Sequence, residues 1–318
     1  MSSTWLDIIL SQNSATEIWQ SIIDNLLEKA KIISSPSTLH AETVVPDRLL
    51  SETAWELWNA FPSDVKKTSN TLFEWTNDSV SGGKAVLVLD ALSLRELFIL
   101  KEAAMARNIK ITNLSVTATE CPSSTGDFAK ALGVSGRSSI ANNNKGTSFK
   151  PFNANCYTDV CQIAFEDCTI PTTPNVFIWH SWLDDLIHQA SMPDVLGKKV
   201  SQTLQSDGFW SFIDNLRQGR RLLITSDHGY ALGRNFSSQI DDPQVTEILR
   251  KQFGAKRYST LLPGEITNTI PPVTMIHNNQ IVIIGQNKWK VQGGYPNICH
   301  GGMSLLEALV PWIELESL

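Results

Sequence analysis

The sequence predicts an α/β fold, a mostly parallel central sheet preceded by an N-terminal helical extension. Three observations carry this expectation. Ala85-Val-Leu-Val-Leu89 and Leu222-Leu-Ile-Thr225 are apolar or β-branched without alternation, as expected of strands buried on both faces. Each run stops at an aspartate, Asp90 or just beyond at Asp227, and stretches with helical spacing separate them. Residues 1–80, in contrast, show helical spacing alone.

With 318 residues the chain can bury a full core as one large domain or one domain with an extension, so neither disulfide nor metal is needed merely to fold it. Apolar residues make up 42% and charged residues 18%, which excludes a disordered chain. The first residues lack the basic and apolar parts of a secretory signal, and no run of about 18 apolar residues exists. A cytoplasmic protein without a membrane partner is expected. The net charge of −6 gives no global attraction to nucleic acid, although a local basic patch could still hold phosphates. Cys121, Cys156, Cys161, Cys168 and Cys299 are odd in number and contain no CxxC pair, so free thiols are expected rather than a zinc cluster.

Taken in order, Ile18, Ile22, Ile23, Leu26 and Leu27 mark one helix. Pro46-Asp47 starts a second through Leu50, Ala54, Leu57, Trp58 and Phe61, stopped by Pro62. Ser81-Gly82-Gly83 is a break, and the strand after it delivers Asp90 to its carboxyl end, where ligands collect in open α/β sheets. Residues 109–119 alternate as a strand and lead into Pro122-Ser123-Ser124-Thr125-Gly126, hydroxyls at a helix entry. Such hydroxyls either cap the helix or face an anion drawn to its N-terminus.

Residues 135–174, rich in Ser, Asn, Thr and Pro, read as a long loop. Asn175–His180 is a strand, and Ser181 caps a helix on which Asp184 and His188, four apart, share a face and can share one cation; His180 is a spare candidate. One helix is expected from about 200 to 218, followed by the strand that ends in Asp227-His228-Gly229. Residues 231–266 read as irregular, with Arg234, Arg250, Lys251, Lys256 and Arg257 as a basic cluster open to solvent or substrate. Segments 273–276 and 280–285 suggest a hairpin. Glycines beside His300 allow a tight loop, and Ser304 starts the last helix.

Each candidate alone has a structural reading, as a loop hydrogen bond, a cap or a surface pair. Together, Asp90, Asp184, His188, Asp227, His228 and His300 are six oxygen and nitrogen ligands set at strand ends, loops or one helix face. Their order, strand-Asp, Pro-x-x-Thr, Asp-x-x-x-His, Asp-His-Gly and His-Gly-Gly, resembles the alkaline phosphatase superfamily and its PglZ domain in particular, over about residues 84–314.

The resemblance implies an alkaline-phosphatase-like three-layer sandwich as a catalytic domain at 81–318, and it leaves unexplained the helical extension at 1–80 that the spacing predicts. It implies two divalent metal ions, Zn²⁺ or Mn²⁺: one held by Asp184, His188 and His300, the other by Asp90, Asp227, His228 and the Thr125 hydroxyl. It assigns Thr125 as nucleophile, with Arg257 a candidate substrate contact. Cys121 is followed at once by Pro122 with no arginine next, which departs from the formylglycine sulfatase pattern.

The implied activity is phosphoester hydrolysis, as a phosphodiesterase or nuclease acting on nucleotide-containing substrates or nucleic acid, with protein partners in a bacterial phage-defence or signalling complex. A phosphomonoesterase and a catalytically silent zinc-binding interaction module are the alternatives.

Overall fold

The computed structural model describes residues 5–79, 82–189, 192–233, 236, 238–261 and 273–318; Ser81 and Arg234 lie outside them. Five helices come first: α1 (Trp5–Ser11), α2 (Ala15–Ile32), α3 (Pro36–Glu52), α4 (Glu56–Asp64) and α5 (Thr68–Asn77). The helical reading of this region holds, but the boundaries differ. The helix expected to start at Pro46 starts at Pro36, where the Ser35 hydroxyl accepts from the Thr38 N–H, and Pro46 and Pro62 both lie inside helices. Proline punctuation misplaced these ends because tertiary packing outweighs the local break, Pro46 being buried within its helix.

The chain then forms β1 (Gly83–Leu89), α6 (Leu97–Ala106), β2 (Ile111–Ala118), α7 (Thr125–Ala131), β3 (Tyr157–Cys161), β4 (Asn175–His180) and α8 (Trp182–Gln189). After these come α9 (Pro193–Gln205), α10 (Asp207–Arg217), β5 (Arg220–Thr225), β6 (Ser238–Ile240), α11 (Pro243–Phe253), β7 (Tyr258–Thr260), β8 (Thr274–His277), β9 (Gln280–Ile283), β10 (Asn287–Trp289), α12 (Leu305–Ala308) and β11 (Leu309–Leu315). The single helix expected near 200–218 is two, because the Ser206 hydroxyl caps α10 and ends α9. The stretch 231–266 contains α11, and the expected loop at 135–174 contains β3.

The central sheet runs β2-β11-β5-β1-β4-β3. β1 is parallel to β4 and β5, and β3 to β4, while β11 alone is antiparallel to its neighbours β2 and β5. Pro311 is tolerated in β11 because only Ile313–Leu315 pair with β5; further up, the Thr225 hydroxyl donates to the Pro311 carbonyl at 2.9 Å.

Strand side chains alternate between two cores, which makes the molecule three layers deep. Ala85, Leu87, Leu89, Val176, Ile178, Leu222 and Ile224 enter one buried cluster, with Trp19, Leu26, Leu39, Leu50, Trp58 and Phe61 of the N-terminal helices. Val86, Val88, Phe177, Trp179 and Leu223 enter another, with Leu72 of α5 and Phe128 of α7. An interior strand buried on both faces has no polar side, which explains the unbroken apolar runs. A smaller antiparallel sheet, β7-β9-β8, contains the expected hairpin, turned at Asn278 and Asn279 with φ of 45° and 63°. Among the described residues no helix is long and apolar enough to cross a membrane.

Candidate metal centre and nucleophile

The six ligand candidates and Thr125 converge beyond the carboxyl ends of β1, β4 and β5. Asp90, fully buried, follows β1, and its amide N–H donates to the His180 carbonyl at 3.0 Å, so β4 sets where its side chain leaves the sheet. Its Oδ2 accepts from the Trp179 indole N–H at 3.1 Å and pairs with Arg137. Its Oδ1 faces the Thr125 hydroxyl at 3.4 Å and His228 Nε2 at 3.5 Å.

Asp227 and His228 leave β5 in a tight turn. The Asp227 Oδ1 accepts from the Ala91 N–H at 3.1 Å, and Oδ2 lies 3.5 Å from His228 Nε2. His228 Nδ1 lies 2.9 Å from the Gly229 carbonyl and must donate to it, which leaves the Nε2 lone pair directed at Thr125, 3.2 Å away. Gly229 is required here, since a Cβ would sit 2.1 Å from the Leu306 carbonyl oxygen.

The three hydroxyls before α7 have separate roles. Ser123 donates to the Gly302 carbonyl at 2.6 Å, and Ser124 accepts the Asp127 N–H at 3.2 Å as the N-cap. Thr125, at the first helical position, is left facing the acidic cluster.

On α8, Asp184 Oδ1 lies 3.4 Å from His188 Nε2 and 3.7 Å from His300 Nε2. His300 stacks on His228 with ring centroids 4.3 Å apart. His188 stands at the rim, its side chain 63% exposed and its ring centroid 5.6 Å from that of His300. Two sets of donors lie close enough to hold one ion each: Asp90, Asp227 and His228, and Asp184, His228 and His300. His228 belongs to both.

The electrostatics favour a cation. Burial, and then the charge of Asp227, pushes the Asp90 carboxyl well above the usual range, and burial pushes Asp227 up to about 6. Burial and the neighbouring His228 and His188 hold His300 well below its ordinary value, so its ring is neutral and able to ligate. Asp227 Oδ2, Asp184 Oδ1 and His300 Nδ1 are buried and have no hydrogen-bond partner among the described residues. The two orphaned carboxylate oxygens, with His300 Nε2 3.7 Å from one of them, fit a divalent ion, and the Asp and His donor set suits zinc.

One expectation changes. Arg257 is fully buried, with its guanidinium bonded to Glu307, Gly285 and Asn287, so it is out of a substrate's reach. Arg250 and Lys251 pair with Glu247 on the surface of α11, which is the solvent-facing reading of the basic cluster. The cation in the cleft is Arg137, which lines it with Thr125, Ser138, Ala141, Val160, Gln162 and Asp184. Burial works against its charge, but the Asp90 carboxylate outweighs that and raises its pKa. Nothing in the Ser- and Asn-rich tract around Arg137 marks it, because no periodicity points there. His180 stacks on Phe165 at 4.1 Å and accepts the Trp182 N–H, which is a packing role.

Residues 159–315 match the family described as the BREX system PglZ alkaline phosphatase-like domain. The chain is 27% identical, over 44% of its length, to the "Alkaline phosphatase-like protein PglZ" of Bacillus cereus (strain H3081.97), and spans 17% of that protein. Among solved structures it is similar to a phosphonoacetate hydrolase from Sinorhizobium meliloti 1021 in complex with phosphonoformate, with TM-score 0.45 and 13% identity over 74% of this chain and 90% of that one. It is also similar to the murine ectonucleotide pyrophosphatase/phosphodiesterase 5, with TM-score 0.44 and 14% identity over 74% and 88%. The family match begins beyond Asp90 and Thr125, so those two positions rest on geometry. From residue 159 to 315, the stretch that contributes Asp184, His188, Asp227, His228 and His300 to the centre, the chain carries a PglZ alkaline phosphatase-like domain.

Proposed function

We propose that this chain is a metal-dependent phosphoester hydrolase, a phosphodiesterase or nuclease acting on nucleotide-containing substrates with Thr125 as nucleophile. The observation that supports it best is the Thr125 hydroxyl itself, set 3.2 Å from His228 Nε2 and 3.4 Å from Asp90 Oδ1 and lining an open cleft with Arg137. A hydroxyl meant only for helix capping would have no reason to sit there, since Ser124 already caps the helix.

Asp90, Asp227, His228 and Thr125 would hold one divalent ion, and Asp184, His188 and His300 the other. Zn²⁺ fits the donors best, with Mn²⁺ as an alternative. Bound ions would make the threonine hydroxyl more acidic and offset charge on the leaving oxygen. Thr125 Oγ1 forms a bond to phosphorus as the P–O bond to the in-line alcohol breaks, the proton lost by the hydroxyl ending on the departing alcohol, and the phosphoryl group is left esterified to Thr125. Water then attacks phosphorus from the vacated side, its oxygen bonding to phosphorus and one of its protons passing to Oγ1 as the Oγ1–P bond breaks, which releases the phosphomonoester and restores the Thr125 hydroxyl. Arg137 faces the same space and is placed to hold a non-bridging phosphate oxygen.

The family description supports a place in a BREX system and, through it, in phage defence. Residues 81–318 would then be the catalytic domain and residues 1–80 its helical extension. The test is hydrolysis of bis-p-nitrophenyl phosphate with added Zn²⁺ or Mn²⁺, set against Thr125→Ala and Asp227→Ala. Activity lost in both variants is expected. Full activity in folded, metal-loaded Thr125→Ala refutes the nucleophile, and bound metal without turnover in the wild type favours a silent zinc-binding module.

A further inference from the structure

Behind the centre, the loop of His300, to which the hydroxyl loop before α7 is bonded, and the turn after β5 both meet one buried residue. Glu307 on α12 is fully buried. Its Oε1 accepts from the Gly302 N–H at 3.0 Å and its Oε2 from the Ser304 hydroxyl at 2.6 Å, so it grips the loop just after His300. Its own carbonyl accepts from the Gly229 N–H at 2.9 Å, next to His228. The Gly302 carbonyl, in turn, accepts from Ser123, two residues before Thr125.

Arg257 holds this carboxylate from the opposite side. Its Nε and Nη2 donate to Glu307 at 2.7 and 2.8 Å, and its remaining bonds reach the Gly285 and Asn287 carbonyls at 2.7 and 3.1 Å. A planar guanidinium bonded to two carboxylate oxygens fixes orientation as well as charge. The packing leaves no slack, since a Cβ on Gly302 would lie 2.4 Å from Arg257 Nε. A buried ion pair is poor evidence for stability, but here each remaining carboxylate bond goes to the loop of His300 or to the helix cap that follows it.

We propose that Glu307, oriented by Arg257, is the positioning residue that sets His300 against His228, and that Ser123 ties the Thr125 loop to the same hub. Its consequence for metal binding rests on the metal reading above; the placement of the rings does not.

The experiment therefore has two readouts on the full chain. In protein labelled with ¹⁵N-histidine and free of metal, the stacked rings of His228 and His300 report their own geometry through mutual ring-current shifts. Glu307→Gln moves both sets of ring signals and leaves His277 unmoved, and Ser123→Ala moves them less. Ser206→Ala, which removes the cap of α10, serves as a control for lost stability and leaves them in place. Zn²⁺ titration against a chromophoric chelator then shows about 10- to 100-fold weaker binding in Glu307→Gln, as for other residues that orient ligands. Unmoved His228 and His300 signals in folded Glu307→Gln and Ser123→Ala overturn the proposal, as does wild-type Zn²⁺ affinity in both. A wild type that takes up no Zn²⁺ overturns the metal reading instead, and the ring signals alone then decide the role of Glu307.

Discussion

The imidazoles of His228 and His300 stack face to face, centroids 4.3 Å apart and planes 8° from parallel, although they come from loops at opposite ends of the small sheet's sequence. Burial, and then the neighbouring His228 and His188, hold His300 well below its ordinary value, so its ring presents a neutral nitrogen donor beside His228. His300→Phe keeps the stack and removes a donor. It should lower Zn²⁺ affinity at least about 100-fold, beyond the usual effect of an orienting residue, and change unfolding stability by less than about 1 kcal/mol. Chelator competition and urea unfolding measure the two, and unchanged affinity would take His300 out of the ligand set.

Arg137 reaches Asp90 from a stretch without regular strand or long helix, and among the described residues no other arginine lines the cleft. Hydrogen bonds to charged groups contribute about 1.5–3 kcal/mol, so Arg137→Ala should lower kcat/KM for a phosphodiester about 10- to 100-fold, with Arg137→Lys between. An unchanged kcat/KM would limit Arg137 to pairing with Asp90.

Asp47, on α3, joins the N-terminal helices to the rest of the molecule. Its Oδ1 accepts from the Leu305 N–H at 2.8 Å and its Oδ2 from the Gln286 amide at 2.7 Å. Complete burial pushes its carboxyl from 3.8 up to about 7. A folded pKa above the unfolded one means that stability is fully present below about 4 and is lost as pH rises to about 7, on the order of 4 kcal/mol. Asp47→Asn should remove that slope, because the asparagine still accepts from Leu305. Its amide can donate to a flipped Gln286, whose Oε1 has no partner among the described residues. Urea unfolding at pH 5 and pH 8 checks this. A variant that loses as much stability as the wild type over that range would show that Asp47 is not the group responsible.

Gly229 carries no unusual backbone angle, yet a Cβ there would collide with the Leu306 carbonyl at 2.1 Å. Neither partner is a flexible side-chain end. Gly229→Ala should cost about 3 kcal/mol of stability, the upper range for overpacking, and weaken metal binding with it. A denaturation midpoint equal to that of the wild type would mean that the turn can move aside.

Much of the centre was legible in the sequence because chemistry and position coincided there. Asp90 and Asp227 end apolar runs, and a strand buried on both faces has to deliver its next residue to the sheet's carboxyl edge. The local pattern left Thr125 as one hydroxyl of three at a helix entry, and only the resemblance, through Pro-x-x-Thr, singled it out. Ser124 is the cap and Ser123 bonds Gly302, and that division depends on a loop nearly two hundred residues away. β3 escaped notice because an edge strand in a polar tract has neither an apolar run nor a clean alternation, and β11 because a proline interrupts it.

Arg257 and Arg137 show where the limit lies. By itself the sequence determined the layered α/β plan, the helical N-terminal region and the residue types able to hold a metal, since periodicity and ligand chemistry are local properties. Which arginine entered the cleft was decided only by tertiary structure. Arg257 meets Glu307 and is consumed by it, while Arg137 meets Asp90 at the wall of the cleft. A charge has the same identity in both places, but its role depends on the partner that folding brings within hydrogen-bond distance.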